Sequence, residues 1–278
     1  MRSVLLSTLV LSTLATLALF PAPGRAGDRL PQIEVLKKDK SAASVNAADL
    51  TYRGYVAHLS DIAGRKDYGE IVSALQHQVD MVENAGLSPR VLRFFRSIPI
   101  VTDELSCLAK EATAVACYEA NGIPAYGAYV VRAKRVWNSD NSQWTNANSG
   151  YFGSDSGVVM VRPLLTSEEQ NPVMLHELLH AFHAQIMPQG FQNEGVLFHY
   201  NLAKTNKLYP EDKYLMKNER EFFAVTASIF LHGKDTAHDP FTRANLKEKQ
   251  PAYYKYLVGL FEFDPESVPS ASPVASAF

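Results

Sequence analysis

The sequence has no cluster of basic side chains, no long hydrophobic run after its first 26 residues, no internal repeat and only two cysteines. The first absence argues against a nucleic-acid partner, and the charge balance agrees. There are 27 basic and 29 acidic side chains, and without Arg2 and Arg25 the net charge is −4. The second argues against a membrane span in the folded part. Neither a repeat array nor an internal linker divides the chain, and about 250 residues suit one large domain or two small ones. What precedes them has the composition of an export signal. Arg2 gives a positive start, Val4 to Phe20 is apolar with interspersed Ser and Thr, and small residues lead to a cut after Ala26. No Cys follows that cut, which argues against a lipoprotein. The expected organisation is a signal peptide over 1–26, an arm over 27–50, a folded domain over 51–265 and a disordered tail over 266–278. The tail is marked by Ser-Pro-Ser-Ala-Ser-Pro. A secreted or periplasmic monomer, free of the membrane once the signal is cut, is the expected product.

The most informative stretch is Met174 to His183, Met-Leu-His-Glu-Leu-Leu-His-Ala-Phe-His, which contains His-Glu-x-x-His in an apolar helical run. On a helix His176 and His180 share one face, one turn apart, so two imidazoles converge on one metal. Glu177 beside them can take a proton from a metal-bound water without occupying the metal. Zinc suits this ligand set best and lowers the pKa of bound water to about 7. The chemistry indicated is zinc-assisted hydrolysis, most often of a peptide bond. The bland alternative is a helix whose histidines are surface or satisfied core residues. Against it, Asn171-Pro172 reads as an N-cap and first-turn pair, Met187-Pro188-Gln189-Gly190 as a stop, and the motif sits mid-helix among Val173, Leu175, Leu179 and Ala181. Burying His, Glu and His there without a role would cost desolvation for no gain.

Upstream, Ile71, Ala74, Leu75, Val79 and Val82 recur at helical spacing and Gly86 follows as a terminator. Ser88-Pro89 caps a shorter helix. Ile98–Thr102 reads as a strand, 103–120 as a helix holding both cysteines, Tyr126–Val136 as a second strand, and Gly157–Pro163 as a third. This third strand is expected at an exposed edge of the sheet, where an extended substrate could pair with it. Trp144 and Tyr151, in the polar loop 138–153, are candidates for the cleft wall.

A catalytic zinc needs a third protein ligand. His183 lies about 10.5 Å along the axis from His176, too far for one ion with bonds of about 2 Å to take His176, His180 and His183 together. A structural or supporting role is left for it. The metzincin continuation, with Gly and a third His, is absent. The better candidates are Glu219 and Glu221, about 200° apart on a buried helix over Met216–Leu231. Glu221 shares its face with Ala224, Val225 and Ser228, which allow close approach to the His176 helix. Glu219 is followed by Phe222 and Phe223, which would hold the helices apart, and it suits the helix N-terminus. Glu221 is therefore favoured. Cys107 and Cys117 are read by default as a disulfide in an oxidising compartment. On one continuous helix they would lie about 15 Å apart, so a bridge requires a break between them. A cysteine zinc ligand, as in peptide deformylases, is the poorer option because the glycine-rich motif of that family is absent.

His-Glu-Leu-Leu-His, a spacer of forty residues and Glu-Phe-Phe-Ala together resemble the metalloprotease domain of anthrax lethal factor and the secreted Pro-Pro endopeptidases. The likeness runs from about Asn171 to Phe263, including Pro251-Ala252-Tyr253-Tyr254. It implies an α+β, zincin-like fold over 51–265, with a small mixed sheet, an edge strand over the HExxH helix and a mainly helical C-terminal half. It also implies one Zn2+ per chain on His176, His180 and Glu221, and Tyr214, seven residues before that acid, as a catalytic aid. Position 225 is Val where several relatives carry an acid, and no proline specificity carries over. The expected function is a zinc metalloendopeptidase acting on a peptide or protein, with Glu177 as general base. The rivals are a zinc-binding recognition protein without turnover and a zinc amidase acting on cell-wall cross-links. Intact Glu177 and Tyr214 argue against the first.

Overall fold

The helical spacing that begins near Lys66 is realised as α1, Tyr68–Glu83, which buries Ile71, Leu75, Val79 and Val82 along one stripe. The computed structural model describes residues 49–59, 62–102, 107, 113–120 and 157–267, all within the unit Ile33–Phe278. The signal peptide, the strand expected over Tyr126–Val136, the loop with Trp144 and Tyr151, and the tail beyond Ser267 lie outside the described residues. Gly86 turns the chain after α1 with φ 77°, where a Cβ would strike the Phe263 ring at 2.4 Å. Ser88 Oγ then accepts the Val91 amide to start α2, Pro89–Arg96, as Ser88-Pro89 indicates.

Among the described residues five strands form one mixed sheet: β1 Asp49–Tyr52, β2 Tyr55–His58, β3 Ile100–Thr102, β4 Ala116–Glu119 and β5 Val158–Val161. Their order is β1-β2-β3-β5-β4, parallel at β2/β3 and β3/β5 and antiparallel at both ends. β1 and β2 form a hairpin through Arg53-Gly54, both at positive φ, so Asp49 and Leu50, assigned to the arm, open the sheet instead. Two further expectations are corrected here. Val158–Val161 is not the edge. It pairs with β3 on one side and β4 on the other, and its four apolar residues are all buried, as befits an interior strand. Among the described residues the edge beside the helices is β4. It occupies part of the stretch expected to be helical, with Cys117 on the strand and Cys107 in a turn at φ 70°. That break brings the two Cα atoms to 5.6 Å, and the disulfide forms.

The helices described after the sheet are α3 Val173–Gln185, α4 Glu194–Thr205, α5 Glu219–His232, α6 Arg243–Lys249 and α7 Pro251–Phe261. α3 runs through the centre, with nine of its thirteen residues buried. α5 is buried all round from Phe222 to Leu231, the pattern of a helix enclosed on every side. Phe222 packs tilted against Tyr253 of α7, and Phe230 meets Tyr254 edge-on and stacks on Phe261. None of the described helices is long and apolar enough to cross a membrane.

The start of α3 is held differently from the local expectation. Asn171 does not cap it; its Oδ1 accepts the Thr236 amide and hydroxyl instead. The capping acceptor is Gln78 of α1, 1% exposed, whose Oε1 takes the Met174 amide at 3.0 Å. Gln78 Nε2 donates to the carbonyls of Glu168 and Asn171. A residue 96 positions away thus fixes where the motif helix begins. Gln78→Ala removes three hydrogen bonds of a buried side chain at once, and chemical denaturation should show a loss of roughly 2–4 kcal/mol. A loss within 0.5 kcal/mol, the range of ordinary surface substitutions, would contradict this role.

Candidate metal centre and active-site cleft

The regular turn of α3 puts His176 and His180 on one face, with rings 4.7 Å apart and their Nε2 atoms 3.1 Å apart. On the facing helix Asn218 fixes the first turn of α5, its Oδ1 accepting the amides of Arg220 and Glu221. The fully buried Ala224, Val225 and Ser228 let α5 lie close against α3. Glu221 Oε2 stands 3.3 Å from both imidazole Nε2 atoms. One donor atom from each of the three residues lies within 4.8 Å of the others. Glu219 is not in this group; it faces Arg220 at 3.6 Å.

Three donors spaced in this way leave room for one ion about 2 Å from each, which suits zinc with nitrogen and oxygen ligands. Glu221 Oε2 is buried without a hydrogen bond, as an atom reserved for a cation would be. Burial opposes its charge, yet the flanking imidazoles hold the carboxyl well below the usual carboxylate range. His183 stays apart from the group, as its axial distance requires. It is fully buried between Phe191 and Phe223, and neither ring nitrogen has a hydrogen-bond partner among the described residues. Burial, followed by the charges of His180 and Arg220, pushes it down to about 3, so it is a neutral core side chain.

Glu177, 7% exposed, faces the cleft beside the two histidines. Tyr214 opens a short 3-10 turn ahead of α5, with its ring 6.3 Å from that of His176 and Lys217 Nζ 5.4 Å from its centroid. Cavities of 540 and 240 Å3 share Ala114, Ala116, Glu177 and Tyr214, so they form two arms of one cleft along β4. Lys217 and Arg220 line the larger arm; Glu168, Asp235 and His238 line the smaller. Sequence reasoning had missed two parts of this wall, β4 and the Asp235–His238 loop. The only local sign of the second is an Asp three residues before a His, a spacing that suits an Asx turn.

A small mixed sheet lying over an HExxH helix, with a second helix bringing a carboxylate to its histidines, is a zincin-like arrangement. Comparison with known proteins gives the more particular likeness. The family described as anthrax toxin lethal factor, N- and C-terminal domain, matches residues 128–260, a span that includes both helices of the site. Over those residues the chain is similar to the family that its motifs resemble. The solved Pro-Pro endopeptidase PPEP-2 from Paenibacillus alvei is 19% identical, with a TM-score of 0.40, covering 72% of this chain and 95% of that one. No curated protein matches.

Proposed function

We propose that the protein is an exported zinc metalloendopeptidase that cleaves a peptide or protein substrate. The observation that carries this reading is the convergence of His176, His180 and Glu221 at the floor of a cleft that Glu177 and Tyr214 also line. His176, His180 and Glu221 would hold the ion. Bound zinc supplies an acidified water and polarises the substrate carbonyl. Glu177 accepts the proton of the attacking water and delivers it to the leaving amine. The Tyr214 hydroxyl donates to the oxyanion that develops on the substrate carbonyl. Export rests on the composition of residues 1–26.

The test is to incubate purified protein with a broad peptide library and with cell-wall fragments. Cleavage of peptides that a chelator stops and zinc restores is the expected result. Turnover of cell-wall fragments alone, or no turnover, would contradict it. Within this mechanism, Tyr214→Phe should lower kcat about tenfold to a hundredfold and change KM little, because the bond it removes strengthens only in the transition state. An unchanged kcat would return Tyr214 to a packing role.

A further inference from the structure

The short loop after α5 holds an imidazole that the reaction above does not use. His238 Nδ1 lies 2.9 Å from Asp235 Oδ2. Asp235 is 5% exposed, and its other oxygen accepts the amides of Ala237 and His238. The loop is tied to the chain just before α3 by Thr236, which donates twice to Asn171, and by Lys234 Nζ, which donates to Gln170. A β-bridge between Lys234 and Thr242 closes its base. These ties place the His238 ring in the smaller arm of the cleft, with its centroid 5.0 Å from that of Tyr214.

A carboxylate on Nδ1 fixes the tautomer and orientation of the ring. Burial works against its charged form, and Asp235 more than offsets this, with Glu168 and Glu221 adding to the effect, so His238 is held above its ordinary value. Nε2, on the opposite edge of the ring, makes no hydrogen bond among the described residues, and the side chain is 32% exposed. A buried aspartate is thus committed to orienting a ring whose other nitrogen is left to the cleft. An extended peptide advances about 3.3 Å per residue. The ring spacing from Tyr214 therefore places His238 one or two residues from the bond that Tyr214 serves.

We propose that His238 touches the substrate, with its Nε2 forming a hydrogen bond to the peptide main chain one or two residues from the scissile bond in the smaller arm of the cleft. Asp235 is the positioning residue for this contact. The inference rests on the peptidase reading, and its test separates the two. The best-cleaved library peptide is synthesised at full length and trimmed one residue at a time from each end. kcat/KM is measured for wild type and His238→Ala, and binding is measured by calorimetry in the Glu177→Gln background with and without His238→Ala. Zinc content and thermal melting establish that the variants are folded.

The full-length peptide should lose about fivefold to a hundredfold in kcat/KM with His238→Ala, the range for leaving a buried polar group without its hydrogen bond. It should also bind more weakly in the Glu177→Gln background. The penalty should vanish once trimming from one end removes the residue that reaches the smaller arm. An equal penalty at every length, or no penalty, overturns the inference and leaves the peptidase reading standing. A wild type that cleaves no peptide overturns both.

Discussion

Glu177→Gln should reduce peptide cleavage by about 10³–10⁴-fold while zinc content stays at one ion per chain, since a general base is typically responsible for 10²–10⁴ of the rate. Glu177 and Gln have nearly the same shape, so the side chain, 7% exposed beside His176 and His180, is replaced without opening a cavity or displacing α3. What is lost is the basic oxygen. An amide cannot take the proton of the attacking water or return it to the departing amine. The three metal-site residues remain His176, His180 and Glu221, so metal binding should not follow activity down. Single-turnover kinetics on a profiled peptide, together with metal analysis of the same sample, checks both halves. Retained cleavage would remove Glu177 from the chemistry. Lost cleavage together with lost zinc would mean that its role is to hold the site.

The parts of this site that were legible in the sequence are those with local causes. α3 and α5 follow from their apolar runs, and the meeting of His176 with Glu221 follows from the small face of Ala224, Val225 and Ser228. The Ser88-Pro89 start of α2 is equally local. What was not legible depends on contacts distant in sequence. Gln78 caps α3 from 96 residues away, so Asn171, the locally sensible cap, is free to bind Thr236. β4 reads as helix-compatible because Ala, Cys and Tyr over four residues carry no clear period, and pairing with β5 decides the matter. Uniform burial of Val158–Val161 marks an interior strand, a distinction from an edge that the run alone does not make. His238 enters the cleft through a loop whose placement depends on Asn171 and Asp235.

The second large effect concerns the metal itself. Glu221 and Glu219 sit two positions apart at the start of α5, and only Glu221 reaches the histidines, at 3.3 Å from each. Glu219 is turned toward Arg220. Removing even a supporting partner of a metal ligand typically costs 10–100-fold in affinity, so removing a ligand should cost at least about a hundredfold. Glu219→Ala should leave affinity within about threefold, because it alters only a partly exposed pair outside the metal group. Both variants keep the Asn218 cap and the buried face from Phe222 to Leu231, so α5 should fold in each. The decisive measurement is the zinc dissociation constant of wild type, Glu221→Ala and Glu219→Ala, by competition with a chelator of known affinity. A single site per chain, weakened only by Glu221→Ala, is the predicted result. Equal affinity in the wild type and Glu221→Ala, or a loss confined to Glu219→Ala, would contradict the account.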